Sequence, residues 1–250
     1  MKSNRLSKKA LLDLGGCSIL ERVVINLRAS KYIDEVIITT TTHSENDPIE
    51  AFSRQKSIPF YRGSENNVLD RFWNAAKIFK ADIIVRATGD NPFVSYEIAD
   101  YLIKDHLETA ADYTGIERDN LPIGVSTEII SYSALENIIH QDLDFNYSEY
   151  MTFYFTNNPN LFSINILPAP SIFFSINPRA RLTVDYPEDL DFSRSLVKII
   201  KPGMEPIPLT HILEVIKEKP ELAYNNQDLA IIWKDQADLV NKINQITKIN

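Results

Sequence analysis

Strand-like and helix-like hydrophobic patterns alternate through the first half of this chain, and few folds accommodate that alternation. Ser18-Ile-Leu-Glu21 has capping-box spacing and opens a helix carrying Ile19, Leu20, Val23, Val24 and Leu27 on one stripe. A strand follows over 35–42 around Val36, Ile37 and Ile38, Asp47-Pro48 starts a short helix, and 58–62 reads as a second strand. Ser64 is placed to cap the next helix, whose apolar face is Val68, Leu69, Phe72, Ala76 and Phe79. The stretch ADIIVRATGDNPF, 81–93, then reads as a buried strand that runs out onto Gly89-Asp90, and Ser95 caps a helix to about Leu107. This pattern predicts an α/β fold, a mostly parallel sheet covered by helices on both faces. In such sheets ligands sit beyond the carboxyl ends of the strands, which is where Gly89-Asp90 falls.

The second half reads differently. Strand patterns near 112–116, 127–131 and 161–167 are interrupted by helices near 133–141 and 148–155. Arg181–Asp185 reads as another short strand ending on an acid, and Pro187-Glu188-Asp189 launches a helix to Ile200. Pro202-Gly203 breaks the chain, and two amphipathic helices are predicted near 210–218 and 227–246. The expected organisation is one domain over 1–200 and a helical C-terminal extension over 201–250.

Composition excludes several function classes. No apolar run approaches the roughly 18–20 residues that span a bilayer, so no membrane partner is expected. A net charge of −8 argues against nucleic acid as a partner. Cys17 is the single cysteine, which rules out an internal disulfide and fits a cytoplasmic setting. The four histidines are scattered without metal-ligand spacing.

The chemistry concentrates in three places. Asp90 and Asp185 each end a predicted strand, so in one sheet their carboxylates can converge, and paired hard oxygen ligands suit Mg²⁺. Each acid alone also fits plain capping: an Asx turn at Asn91-Pro92, or an N-cap for the helix begun by Pro187. Arg5 and Lys9, four apart before the first helix, can grip a polyphosphate, although a solvated basic face reads the same way. Arg62-Gly63-Ser64 leaves a strand for a helix, where backbone N–H groups can meet polar ligand atoms, or where an ordinary capped turn would sit.

Together these motifs resemble the cytidylyltransferases that make CMP-activated sugars, above all the spore-coat polysaccharide branch related to the CMP-Kdo and CMP-sialic acid synthetases. That branch's G-S-E-x-x-V-L-D-R stands here as Gly63-Ser-Glu-Asn-Asn-Val-Leu-Asp-Arg71, and its R-x-T-G-D-x-P as Arg86-Ala-Thr-Gly-Asp-Asn-Pro92. Its R-x-T-V-D-x-P-E-D stands as Arg181-Leu-Thr-Val-Asp-Tyr-Pro-Glu-Asp189, and its basic opening as Arg5-Leu-Ser-Lys-Lys9. The resemblance implies a Rossmann-like nucleotidyltransferase fold that joins CTP to a Kdo- or nonulosonic-acid-like sugar hydroxyl and releases pyrophosphate. It implies Mg²⁺ on Asp90 and Asp185, with Arg5 and Lys9 as further catalytic groups on the triphosphate. It puts the nucleotide against Ser3, Arg5, Lys9, Thr40, Thr41, Arg62, Gly63, Ser64, Asp70, Arg71, Thr88 and Gly89. The sugar falls near Pro122, Gly124, Glu128 and Arg181, and residues 118–170 become a sugar-binding and dimerisation section of a homodimer.

The chain departs from the branch in places. Ser7-Lys8 replaces a Pro-Gly pair, Ile123-Gly-Val-Ser-Thr-Glu128 lacks two aspartates of the sugar motif, and Glu149-Tyr150 lacks a histidine. Relatives open on a buried strand that this sequence lacks, so Met1 is expected to be an internal methionine of a longer natural chain. Two alternatives stay open at this stage: a nucleotidyltransferase using another NTP and a sugar 1-phosphate, and a catalytically silent nucleotide- or sugar-binding homologue.

Overall fold

In the computed structural model the described residues are 9–141, 143, 145–229 and 237–249. The expected α/β architecture is present, but its strands form two sheets. The strands β1 (Ile38–Thr41) and β2 (Phe60–Gly63) pair in parallel from Ile38↔Phe60 to Thr41↔Gly63. The other four are β3 (Ile83–Arg86), β4 (Tyr113–Ile116), β5 (Glu128–Ser131) and β6 (Ile164–Leu167), in the order β3-β5-β4-β6. Only β5 runs against its neighbours, so β3, β4 and β6 share one direction. The predicted strand over Arg181–Asp185 is reduced to one parallel bridge, Ile123↔Arg181, because its amides are drawn to loop carbonyls, Leu182 N–H to Ile123 O and Val184 N–H to Asp90 O.

The period of two along each strand separates the two faces of the four-stranded sheet. Ile116 and Ile129 face one core, with α4 (Tyr96–Thr109), α7 (Pro187–Ile200) and α8 (Leu209–Glu218) packed over them. Ile84, Tyr113 and Ile130 face the other, under α3 (Val68–Phe79), α5 (Tyr132–Ile139) and α6 (Met151–Thr156). The first helix of the expected C-terminal extension packs into the first core. Leu209, Ile212, Leu213, Val215 and Ile216 of α8 belong to the first core. Beyond α9 (Ala237–Ile246), Thr247 accepts at its carbonyl from Asn158 Nδ2 beside the second core.

The helix α1 (Ile19–Leu27) joins the two sheets, with Ile19 in the large core and Leu20 and Val24 against Ile38 and Ile58. Beneath it lies a cleft of about 640 Å³ between β1 and β3, lined among others by Ile38, Thr39, Ile83 and Val85. Short helix caps follow from a glycine-poor sequence. Lys80, Ala110 and Lys201 end α3, α4 and α7 in the left-handed region that glycine usually fills. The N-cap of α3 is Asn67, whose side chain accepts from Asp70 N–H, and Ser64 sits three residues earlier, accepting from Asn67 N–H.

Candidate active site

Asp90 lies four residues past β3, and Asp185 ends the extended segment that Val184 N–H ties to the Asp90 carbonyl at 2.8 Å. This one backbone bond joins residues 94 positions apart in the sequence, and the side chains of Asp90 and Asp185 then meet at Lys9. The Lys9 Nζ donates to Asp90 Oδ2 at 2.7 Å and to Asp185 Oδ1 at 2.9 Å. All three side chains are about four-fifths covered: 19%, 27% and 22% exposed for Lys9, Asp90 and Asp185. Burial alone would lower the Lys9 pKa, but the two carboxylates outweigh it and hold the ammonium above the ordinary lysine range. Asp185 is not the N-cap of α7, a place taken by Tyr186.

Asp185 is fixed from behind. Its Oδ2 accepts from Arg181 Nη2 at 3.0 Å, and Arg181 Nε donates to the wholly buried Asp189 at 3.0 Å. Asp189 also accepts from the backbone N–H groups of Asp185 and Tyr186, so it caps α7, and from Asn226 Nδ2. Arg181 is 2% exposed with donors on both aspartates. Arg181, expected near the sugar, here positions Asp185. Gly124, also expected near the sugar, has φ +97° and leaves room for backbone: a Cβ there would lie 2.7 Å from Leu182 C and Thr183 N. Pro122 precedes the bridge that this close approach permits.

The sequence-predicted nucleotide residues divide. Thr40 and Thr41 end β1 in register with Arg62 and Gly63 at the end of β2. Arg62 is engaged by Asp47 and Glu50 at 2.8 and 2.7 Å and by the carbonyls of Thr41 and His43. Hydrogen bonds from Arg62 and Arg54 hold the Glu50 carboxyl below its usual range. Arg62 therefore stitches the β1 rim to α2 (Asp47–Gln55). Arg71 is different: Nη1 donates to the Ser64 carbonyl at 2.6 Å, Nε has no partner, and no carboxylate pairs with it among the described residues. Burial accordingly lowers its pKa. Asp70 accepts from Asn74 Nδ2 on its own helix. Thr88 and Gly89 lie in the loop from β3 to Asp90, where the Thr88 carbonyl accepts from Asn91 N–H and Gly89 borders the cleft. Ser3 and Arg5 lie outside the described residues.

Glu128, expected near the sugar, sits among groups that the sequence did not single out, Arg118, Tyr113 and Thr152. It is 3% exposed and pairs with Arg86 and with Arg118 at 3.2 Å, while the hydroxyls of Tyr113 and Thr152 donate to it. Burial alone would raise its pKa, but the two guanidiniums bring it down to about 2. Burial pushes the Tyr113 phenol up. Within this cluster two guanidiniums face one carboxylate. Arg86 was legible in its motif, but its partner emerges only from the antiparallel Arg86↔Glu128 register.

A family model described as cytidylyltransferase matches residues 1–237. The spore coat polysaccharide biosynthesis protein SpsF of Bacillus subtilis is 34% identical over 229 residues, covering 89% of this chain and 93% of the relative. A solved cytidylyltransferase from Leptospira borgpetersenii superposes with TM-score 0.80 at 27% identity, covering 92% of this chain and 94% of that one. A CMP:2-keto-3-deoxy-manno-octonic acid synthetase solved with CTP shares the fold, with TM-score 0.57 at 16% identity over 79% of this chain and 95% of its own.

Proposed function

Because this chain belongs to the cytidylyltransferase family and is a nucleotidyltransferase, we propose that it transfers the cytidylyl group of CTP to a hydroxyl of an acidic sugar for polysaccharide synthesis. The sugar oxygen bonds to the α-phosphorus, the bond to pyrophosphate breaks, and the hydroxyl proton leaves to solvent. The observation that carries this reading is the convergence of Asp90 and Asp185 on a single cation position. Two carboxylates with no third acid or histidine in a cluster, among the described residues, suit Mg²⁺, which takes its remaining ligands from water and phosphate. When bound there, Mg²⁺ neutralises charge on the phosphates.

The chain's own groups do the rest. Arg181 and Asp189 hold Asp185 in place, Lys9 and Arg5 supply cations to the triphosphate, and Arg71 offers unused donors beside Ser64. Thr40, Thr41 and Gly63 form a rim for the base. Arg86 and Arg118 leave the Glu128 cluster one positive charge in excess, which supports an acidic acceptor. The proposed homodimer is supported by the outer edge of the sheet. Near β6 the chain exposes Leu161, Ile166, Ile172, Phe174 and Ile176, with Ile172 67% and Ile176 63% accessible.

The test is pyrophosphate release with Mg²⁺, offering CTP, UTP, ATP and GTP against a panel of Kdo-like and nonulosonic acids. Turnover with CTP and one acid is expected, and Asp90→Asn should abolish it without lowering the melting temperature. Preference for another NTP with a sugar 1-phosphate, or near-wild-type turnover of Asp90→Asn, would overturn the proposal. Light scattering checks the dimer, which Ile172→Asp/Ile176→Asp should turn into a monomer.

A further inference from the structure

Lys9 does more in this structure than wait for a phosphate. Its ammonium spends two of its three donors on Asp90 and Asp185, which converge there as metal ligands would. Asp185 is held by Arg181, and the Val184–Asp90 backbone bond ties the two acids together. The lysine is the movable member, a flexible four-carbon stem on a short 3₁₀ turn (Lys9–Leu11).

We propose that Lys9 is an internal counter-cation that holds the divalent-metal position of the nucleotide-free protein and yields it only when a triphosphate draws the ammonium away. This rests on the assignment of Asp90 and Asp185 as metal ligands. Without the lysine, two carboxylates about four-fifths covered would repel one another. With it, their charge is satisfied at 2.7 and 2.9 Å, and a divalent ion at ~2.1 Å from each oxygen cannot enter alongside. A triphosphate offers the ammonium new anionic partners and brings ligands for the ion, so one ligand set replaces the other. Metal and nucleotide then bind with strong mutual preference, and the coupling is reciprocal. Free Mg²⁺ is kept off the site, and the ion arrives with its substrate.

Mn²⁺, as a paramagnetic probe for Mg²⁺, is titrated by EPR into nucleotide-free wild type, Lys9→Gln, Lys9→Arg and Lys9→Gln/Asp90→Asn. Lys9→Gln should bind Mn²⁺ at least about tenfold more tightly than wild type. Lys9→Arg should stay as weak as wild type, and adding Asp90→Asn should erase the gain. Should Lys9→Gln prove unstable, the rise of its melting temperature with Mn²⁺ gives the same comparison and should exceed the wild-type rise. Mn²⁺ binding no tighter in Lys9→Gln than in wild type, by either readout, overturns the proposal, as does a gain that survives Asp90→Asn. The same titration with CTP present separates the premise: an Asp90-dependent ternary site beside an unchanged Lys9→Gln refutes the counter-cation alone. Mn²⁺ binding with CTP that ignores Asp90 refutes the metal assignment beneath it.

Discussion

Replacing Glu128 by Gln keeps the shape and the hydrogen-bonding oxygen of a buried side chain while deleting its charge. In the folded protein its pKa falls from an ordinary 4.5 to about 2, because Arg86 and Arg118 outweigh the cost of burial. At 1.36 kcal/mol for each pKa unit, the ionised form contributes about 3 kcal/mol to stability at neutral pH. That figure is of the size expected when one partner of a buried ion pair is removed. Its folded pKa is depressed, so the contribution is complete above about pH 4.5 and fades as pH falls through about 2. Urea denaturation of wild type and Glu128→Gln should therefore show a gap of about 3 kcal/mol at pH 7, shrinking to roughly 1–1.5 kcal/mol at pH 3. Comparing the two proteins at each pH removes the titration of all other acids. A gap under about 1 kcal/mol at pH 7, or one that does not shrink on acidification, would refute the account of this cluster.

Gly124→Ala places a Cβ against the backbone at Leu182 and Thr183 and should destabilise the fold by at least about 2 kcal/mol, read by thermal or urea melts. Asp189→Asn leaves Arg181 partly unpaired and loosens Asp185. It should cost about 3 kcal/mol and raise the Mg²⁺ concentration needed for half-maximal pyrophosphate release. Arg71→Ala should weaken CTP binding by about tenfold, the worth of one or two charge-assisted hydrogen bonds, in calorimetric titration.

Much of the fold was legible because hydrophobic period and cap chemistry are local properties. The helix launched by Pro187 runs to Ile200 as its sequence indicates, since proline at the start and Asp189 in the first turn both act within a few residues. Strand direction and partner are not local. A reading in which the sheet was mostly parallel held for β1, β2, β3, β4 and β6, yet it missed that β5 runs the other way and sets Glu128 beside Arg86. Ser64 and Asn67 offer equivalent capping chemistry three residues apart, and the start of α3 selects the second. The terminal helices looked separable because Pro202-Gly203 breaks the chain before them, but a break in sequence says nothing about where the next apolar face is buried.

The division of labour at the site follows from the same distinction. Asp90 and Asp185 were recognisable as acids at strand ends, but the groups that hold Asp185 were not, because Arg181, Asp189 and Asn226 act as a network. That network is buried and committed at Arg181 and Asp189, and it holds the Asp185 carboxylate in place. Two largely covered carboxylates that meet at one point repel one another unless a cation stands between them. Lys9, carried on a short turn, offsets that repulsion. On the proposed exchange, the residue that prepares the site is also the one that must move for it to work, and Lys9 sits on both acids.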